Sequence, residues 1–476
     1  MSERKYLNDE ATSAAKRLTV SSLRQLESDE ISSQGCVQPL VVFFEDGRDD
    51  EQINFMRTAA ISAENRRTRH YIAQSVSDQT QTAVRDLLRD GDFINSCFAR
   101  SPNFRFDSHR HIVTLSSINA LVVQANIRLA ERIAEFENVL AVQTDFPIES
   151  IFQGELTAPL DNLTLLGEWE NKGGHEGEHT WGWETLQVPE TRMKWGLDGD
   201  GVTIGIANSG LADHEDLHLK VQRFAKVTPS GIVEDSFSDD WNGHGTHIAG
   251  ICVGENNSGV WLGGAPRSDL AVVSVIGEGH GTYVSLLCGL EWLVDDARSD
   301  GKKPADLINL SLGFPKGLSS NALKQAERVF VKLSEQTVAL VGAIGNAPQS
   351  PMYPALFDSV LSCGAIRPDQ DLWPRSVGNP DFLLPGERIY SCVPAGLPKF
   401  HGQTHVPMSG TSMAAAHMSA IVALMVNANQ KLERNKTPAE LIEALKGTAS
   451  KSNGGGTRSQ YGIPDLQAAI EALMNK

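Results

Sequence analysis

Short apolar runs alternate with helix-like segments through residues 181–476, and this alternation is the feature that most restricts the fold. Four runs have the length and composition of strands buried on both faces: VTIGIA (202–207), LAVVSVI (270–276), LINLSL (307–312) and TVALVGA (337–343). Segments with helical spacing lie between and after them, at 247–253, 282–297, 321–336, 412–428, 437–447 and 464–474. Because strand–helix alternation needs right-handed crossovers, we expect an α/β fold with a doubly covered, mostly parallel sheet.

Residues 1–150 have a different texture and predict a separate, small α+β domain. They contain fifteen Arg but only two Lys. A strand is expected at 41–46, a helix at 76–88, and a strand–helix–strand unit at 118–145. Residues 151–180 then lose all periodicity and are interpreted as a linker. The expected organisation is therefore 1–150, 151–180 and 181–476.

Charge and composition exclude several classes of partner. The chain has 42 Lys and Arg against 59 Asp and Glu, a net charge of −17, which argues against a nucleic-acid-coating surface. No uninterrupted apolar run approaches the ~18–20 residues of a membrane helix, so no membrane partner is expected. The first ten residues, MSERKYLNDE, lack a signal core, and the six cysteines are widely spaced. We expect a cytoplasmic protein with reduced thiols, exported only if a signal had been removed.

Three loop motifs in the α/β unit contain residues suited to nucleophilic catalysis. WNGHGTHIAG places His244 at a helix entrance, SGTSMAAAH places Ser412 where a loop becomes a helix, and VGAIGNAP presents Asn346 after a strand. A serine nucleophile needs a base and donors for the oxyanion. A helix N-terminus offers free N–H groups beside Ser412, and an Asn side chain can supply a second donor. Each motif is weak alone, but the ordered set is specific.

On these motifs, residues 181–476 resemble a subtilisin-like serine protease, a subtilase. The segments GVWLGGAP, DLINLSLG, MYPALFDSVLSCGAI and YGIPDLQAAIEAL also follow in family order. The resemblance implies that His244 is the general base, Ser412 the nucleophile and Asn346 the oxyanion donor. It further implies two substrate-binding edges, one at Ser311, Leu312 and Gly313, the other at Gly279, His280 and Gly281. Residues 1–150 resemble, more loosely, the family's propeptide, which would act as an intramolecular inhibitor.

The third triad position departs from the family pattern. Where subtilases have Asp, this chain has Asn208, followed by Ser209 and Gly210. That Asp orients the imidazole and stabilises the imidazolium, whereas a neutral Asn can present its NH₂ and favour the wrong tautomer. The resemblance places no nearby acid beneath His244; the acids weighed are Asp213, Asp216, Asp239 and Asp240. A natural residue and an introduced substitution both stay open as the origin of Asn208.

Two segments resemble metal-binding motifs. The loop GENNSGVW (254–261) resembles a subtilisin calcium loop, which implies side-chain ligands from Asp216 and Asn257 and carbonyl ligands from Glu255, Gly259 and Trp261. The alternative is a tight turn without metal. The HExxH pattern at 175–179 is surrounded by glycines, so we interpret it as solvated linker.

These observations predict a serine endopeptidase that cleaves peptides or proteins by acyl transfer through Ser412. We expect it as an unprocessed, zymogen-like form weakened by Asn208, with part of 146–180 passing near the cleft. The alternative is a pseudo-protease, a scaffold whose cleft holds a peptide or inhibitor without cutting it.

Overall fold

The structure is a computed structural model of the chain, and thirteen stretches of it are described. These are residues 37–59, 63–98, 107–150, 179–218, 220–228, 233–235, 239–277, 280–295, 303–314, 317–337, 339–347, 351–450 and 459–474. The predicted linker therefore lies outside the described residues except for its last two positions, and so do Gly279 and Cys36.

The N-terminal unit is a four-stranded antiparallel sheet with helices on one face, which confirms the α+β class that the sequence predicted. Its elements are β1 Gln38–Phe44, α1 Asp50–Thr58, α2 Ala63–Leu87, α3 Gly91–Cys97, α4 Ser108–His111, β2 Ile112–Leu115, β3 Ala120–Ala125, α5 Ile127–Ala134 and β4 Val139–Thr144. The strand order is β2-β3-β1-β4. Helix α2 begins at Ala63, well before the expected position 76. The sequence pattern did not show this start because the first turns of the helix carry mostly polar residues.

The larger unit follows a short strand, β5 Pro147–Ser150. Its elements are α6 Trp181–Thr185, α7 Val188–Trp195, β6 Thr203–Asn208, β7 Val221–Val227, β8 Val233–Asp235, α8 His244–Val253, β9 Asp269–Ser274, β10 Ile276–Gly277, β11 His280–Thr282, α9 Tyr283–Val294, β12 Leu307–Leu310, β13 Leu312–Gly313, α10 Ser320–Ser334, β14 Ala339–Ala343, β15 Leu361–Ile366, β16 Phe382–Pro385, β17 Ile389–Cys392, β18 His405–Met408, α11 Thr411–Lys431, α12 Pro438–Thr448 and α13 Leu466–Met474.

An eight-stranded sheet forms the centre of this unit, in the order β16-β15-β14-β12-β6-β9-β7-β8. Every neighbouring pair is parallel except β7 with β8 at the edge. The expected α/β fold with a doubly covered, mostly parallel sheet is therefore confirmed. The carboxyl ends of parallel strands meet at one edge, which is where loops of different strands can combine into a site.

Side chains alternate along each strand, so that the central sheet contributes to a hydrophobic core on each of its two faces. In β6, Ile204 and Ile206 join the core beneath α8 and α11, whereas Ala207 belongs to the core beneath α9 and α10. Helix α11 is long and apolar enough to cross a membrane by length and composition, yet its apolar window is entirely buried within the protein. It serves here as the central core helix, and its interrupting Ser, His and Asn residues explain why no continuous apolar run marked it.

The N-terminal unit packs on the outer face of α9 and α10. In β1, Leu40 and Val42 face the unit's own helices, while Val41 and Phe43 join the core that α9 and α10 share. Polar contacts surround this apolar interface: Arg48 and Arg57 both bind Glu335, the latter at 3.2 Å. Each face of the small sheet is thus covered, one by its own helices and one by the larger unit.

Candidate active site

Three elements bring Asn208, His244 and Ser412 to the carboxyl edge of the sheet. Asn208 ends β6, His244 begins α8, and Ser412 is the second residue of α11. All three are buried. A close backbone approach holds the first two together: a Cβ at Gly245 would collide with the Gly210 carbonyl. Only glycine therefore allows the start of α8 to lie against the loop after β6.

The Asn208 amide presents its oxygen, not its NH₂, to the imidazole. Asn208 Oδ1 lies 2.7 Å from His244 Nδ1 and also accepts the Ser209 N–H at 2.8 Å. Because a backbone N–H needs an acceptor, this second bond fixes the amide orientation. An oxygen can only accept, so Nδ1 carries the proton and Nε2 is the basic nitrogen. The expected wrong tautomer is not what the structure holds.

The cost of this arrangement falls on the other end of the amide. Asn208 Nδ2 is buried and has no hydrogen-bond partner among the described residues. An unsatisfied buried donor costs about 1–3 kcal/mol. A carboxylate at this position would have no donor to satisfy, which identifies Asn208 as a local mismatch between the residue and its site.

Burial keeps the imidazole neutral. Removal from water lowers the pKa of His244 to about 3, and the positive charge of Lys399 acts in the same direction. The neutral amide of Asn208 offers no negative charge to oppose this shift. The ring is therefore a poor proton acceptor as it stands.

Asp240, one of the acids weighed as a substitute, has another structural task. Its carboxylate accepts the Ser209 hydroxyl at 2.9 Å, the Gly243 N–H at 2.9 Å, and the Thr246 N–H and hydroxyl at 2.8 and 2.7 Å. It thereby joins the Asn208 loop to the first turn of α8. Sequence reasoning considered only its nearness to His244 and missed this role.

The other three acids are engaged elsewhere. Asp239 pairs with Lys226 at 2.6 Å, and Asp213 lies 3.6 Å from His218 at the surface. Asp216 Oδ2 lies 2.7 Å from His405 Nε2. Each of these carboxylates is thus bound to a partner of its own.

Ser412 and Asn346 lie on either side of the same helix entrance. Asn346 Oδ1 accepts the Thr411 N–H at 2.9 Å and the Thr411 hydroxyl at 3.0 Å. The amide oxygen is thus tied to the residue before Ser412, which leaves the NH₂ as the group the side chain can offer. The Ser412 Oγ is buried and makes no hydrogen bond among the described residues.

The two edges implied by the resemblance lie on opposite sides of β5. Gly281 and Thr282 of β11 pair with Ile148 and Pro147, and Leu312 and Gly313 of β13 pair with Ser150 and Glu149, both antiparallel. A Cβ at Gly281 would come within 2.7 Å of the Ile148 side chain. The chain's own segment 147–150 therefore lies in the groove between β11 and β13.

Ser311 stands next to this groove and links it to the Ser412 helix. Its hydroxyl donates to Asn309 Oδ1 at 2.9 Å and lies 3.3 Å from the Ser412 carbonyl. Of the predicted binding residues, the described ones thus gather around one groove, while Gly279 lies outside the described residues.

Comparison with known proteins agrees with this geometry. Residues 199–463, more than half of the chain, match the Subtilase family, Peptidase_S8. The chain therefore belongs to the subtilase family of serine proteases.

Three relatives illustrate the range of similarity. Subtilisin BL of Lederbergia lenta is 31% identical over 287 residues, covering 59% of this chain and 94% of that protein. An intracellular serine protease of Paenibacillus polymyxa is 31% identical over 306 residues, covering 61% and 88%. An extracellular basic protease of Dichelobacter nodosus is 29% identical over 316 residues, covering 59% and 52%.

The prediction of a cytoplasmic location is wrong by this comparison, because the relatives include a protein described as extracellular. The thiols were a poor guide for a physical reason. In the part of the chain that the structure describes, five free cysteines are buried in the packed interior: Cys97, Cys252, Cys288, Cys363 and Cys392. Burial leaves such a thiol unpaired whatever the compartment outside.

Subtilases commonly bind structural calcium, but the residues expected to do so here are arranged differently. Asp216 Oδ1 accepts the Asn257 N–H at 2.8 Å, and Oδ2 faces His405. The Asn257 amide donates to the Glu215 carbonyl. The Glu255 and Trp261 carbonyls accept N–H groups of Leu262 and Thr180.

Calcium takes oxygen ligands, whereas the Asp216 carboxylate faces nitrogen and sulfur. The described donors therefore do not fit calcium. Gly259 also lies in a closed turn, where its N–H donates to the Asn256 carbonyl at 2.8 Å. The HExxH pattern contributes only His179 to the described residues, and it pairs with Trp261.

Proposed function

We propose that this subtilase is a serine endopeptidase in an unprocessed, zymogen-like form whose acyl transfer is weakened by Asn208. Its substrates would be peptides or proteins held in extended form. The observation that carries the proposal is the 2.7 Å contact between Asn208 Oδ1 and His244 Nδ1, because it makes Nε2 the basic nitrogen of the ring, as a general base for a serine requires.

In this mechanism Ser412 Oγ attacks the peptide carbonyl carbon while His244 Nε2 takes the hydroxyl proton. The oxyanion is stabilised by the Ser412 N–H, a free donor at the start of α11, and by the Asn346 NH₂. The tetrahedral intermediate collapses as the imidazolium returns the proton to the leaving amine. A water molecule then hydrolyses the acyl-enzyme by the same proton route.

Asn208 weakens this reaction at one step, the formation of the imidazolium. The amide oxygen can orient the ring, but it supplies no full negative charge to the imidazolium formed during attack. For the equivalent change in a trypsin-type triad the loss in kcat is about 10⁴-fold. We therefore infer a slow hydrolase, not an inert one.

The pairing of β5 with β11 and β13 supports the zymogen part of the proposal. An extended segment between two antiparallel partners has the geometry of a bound peptide. Residues 1–150 would form the inhibitory propeptide domain, 151–180 the linker in which maturation cleaves, and 181–476 the peptidase domain. In that organisation, β11 and β13 would form the substrate-binding edges.

A second function, a peptide-holding pseudo-protease, is favoured by the neutral Asn208 and by the absence of a hydrogen bond from Ser412 Oγ among the described residues. A fluorophosphonate separates the two, since it reacts only with an activated serine. We expect one adduct on Ser412 of the full chain, formed slowly, and none in Ser412→Ala. No adduct on the unmodified chain or on Asn208→Asp would favour the pseudo-protease.

A further inference from the structure

Four side chains from a loop and a β-hairpin meet at one buried point outside the triad. They are His214 and Asp216, in the loop after β6, with Cys392 at the end of β17 and His405 at the start of β18. All four are buried, and one candidate ligand atom from each lies within 4.8 Å of the others. The group was not marked by any sequence motif.

The fold holds the four groups in place without a metal. Cys392 and His405 are direct partners across the antiparallel β17–β18 hairpin. The rings of His214 and His405 meet edge to face with centroids 4.8 Å apart. The site therefore joins the segment after Asn208 to the hairpin that leads into the Ser412 helix.

Each imidazole has one nitrogen turned inward and the other held from outside by Thr404. His214 Nε2 lies 2.9 Å from the Thr404 carbonyl, and His405 Nδ1 lies 2.9 Å from the Thr404 hydroxyl. In His214 the ligand nitrogen is already selected, because Nε2 donates to the Thr404 carbonyl and Nδ1 accepts an N–H, the outer-shell arrangement typical of metal-binding histidines. His405 Nε2 faces a carboxylate oxygen and so carries the ring proton; metal binding at Nε2 moves that proton to Nδ1, where the Thr404 hydroxyl can accept it.

The inward-facing atoms are His214 Nδ1, 3.9 Å from Asp216 Oδ2, and His405 Nε2, 2.7 Å from the same oxygen. The contact that a metal at His214 must displace is a long one, the Asp216 N–H at 3.2 Å from Nδ1.

The donor set is two imidazole nitrogens, one thiol and one carboxylate. Tetrahedral Zn²⁺ takes such a mixture, with bonds of about 2.0–2.3 Å. The four ligand atoms already lie within 4.8 Å of one another, so binding requires the wider pairs to close and the 2.7 Å pair of His405 Nε2 and Asp216 Oδ2 to open. Calcium, which needs six to eight oxygens, finds one carboxylate here.

We propose that His214, Asp216, Cys392 and His405 form a structural site for Zn²⁺ or a similar divalent transition ion. Binding removes the Cys392 thiol proton to solvent and transfers no electron. The ion would fasten the loop after β6 to the β17–β18 hairpin and so stiffen both approaches to the cleft. This inference does not depend on whether the serine is active.

The test uses the full chain, stripped with a chelator and titrated with Zn²⁺, Ca²⁺ or Co²⁺ separately. We expect one Zn²⁺ per chain, about one proton released, and a higher unfolding temperature. Co²⁺ should give tetrahedral ligand-field bands and a thiolate charge-transfer band. The charge-transfer band should be lost in Cys392→Ser and retained in the matched control Cys363→Ser, whose thiol is also buried but does not belong to the four-residue group.

His214→Gln and His405→Gln should each weaken Zn²⁺ binding at least tenfold. If a variant fails to fold, the Co²⁺ spectrum of the unmodified chain still decides, because the charge-transfer band requires a bound thiolate. The proposal is overturned if the chain binds no Zn²⁺, if the Co²⁺ complex lacks that band, or if Ca²⁺ alone binds and stabilises.

Discussion

At the scale of single residues, Asp240 and its neighbour Asp239 show that the contribution of a carboxylate to stability depends on its position. Asp240 is buried and accepts hydrogen bonds from the Asn208 loop and from the first turn of α8. Asp239 is largely exposed and pairs with Lys226. Hydrogen bonds to a buried charge are each worth more than an exposed ion pair, which contributes about 0–1 kcal/mol.

We predict that Asp240→Ala lowers the free energy of unfolding by about 3 kcal/mol or more, because several buried donors lose their acceptor. The matched control, Asp239→Ala, should change it by about 0.5 kcal/mol. Urea unfolding of both variants measures the difference. Equal effects from the two substitutions would contradict the assigned role of Asp240.

Asn208 shows where sequence reasoning stopped at this scale. The residue pattern identified the departure from Asp, but the orientation of an amide depends on its neighbours in space. Here the Ser209 N–H selects the oxygen. No property of the local sequence states which donors will surround a buried side chain, so the tautomer of His244 could only be read from the structure.

At the scale of elements, β5 is a strand of the N-terminal part of the chain that pairs with strands of the larger unit, and the sequence pattern did not predict it. Four residues give no periodicity, and β5 exists because β11 and β13 supply partners on both sides. The central strands were predictable for the opposite reason. Runs such as VTIGIA are apolar throughout because the sheet is covered on both faces.

Ile148 anchors β5, since its side chain is buried against Gly281. We predict that Ile148→Asp releases the strand, because a carboxylate cannot remain in that apolar contact. Amide hydrogen exchange at Ile148, Gly281 and Gly313 should accelerate at least tenfold. Pro147→Ala, at the exposed neighbouring position, is the control and should leave exchange at those amides nearly unchanged. Unaltered exchange in Ile148→Asp would show that β5 is held by other contacts.

At the scale of the whole molecule, two carboxyls sit where the units meet. Both Glu291 oxygens lie 3.1 Å from the Ser117 N–H, and burial raises the pKa of Glu291 to about 7. Asp145 accepts the Val284 N–H at the start of α9, and burial raises its pKa to about 6. The folded chain therefore holds protons on these groups more tightly than the unfolded chain does.

A raised pKa in the folded state contributes stability that is present at low pH and is lost as pH rises through the folded value. We therefore predict that the unmodified chain loses stability relative to Glu291→Gln between about pH 5 and pH 7.5. The relative change should be on the order of 1–2 kcal/mol. Comparing the two proteins removes the opposing contribution of buried histidines such as His244, whose pKa is lowered.

Chemical unfolding at several pH values measures this difference. Glu327→Gln, at an exposed site on α10, serves as the control and should show no such pH-dependent difference. A pH-independent difference for Glu291→Gln would rule out its titration in this range.

The molecule as a whole also sets the limit of prediction from sequence. The ordered motifs and the family resemblance were enough to name His244, Ser412 and Asn346 as members of one site, and parallel strands gather their loops at one edge. Asp216 was expected to supply an oxygen ligand to calcium in the loop 254–261, yet one of its carboxylate oxygens faces His405 from a hairpin far along the chain. A contact between distant segments depends on how the two segments pack in the folded chain, and no local sequence pattern encodes that packing.

The central claim is that the site is a serine-protease active site that lacks only the negative charge of the triad carboxylate. The most direct test of this claim is to measure peptide hydrolysis by Asn208→Asp. A carboxylate removes the buried unpaired NH₂ and stabilises the imidazolium. We predict a gain of about 10³–10⁴-fold, about 4–5.5 kcal/mol of transition-state stabilisation, with self-cleavage in 151–180 seen by intact mass. The gain should vanish when Ser412→Ala is added, because triad members act as a unit. Two results would contradict the account: many turnovers per second by the unmodified chain, or an Asn208→Asp chain that stays inert even when Ile148→Asp has released β5.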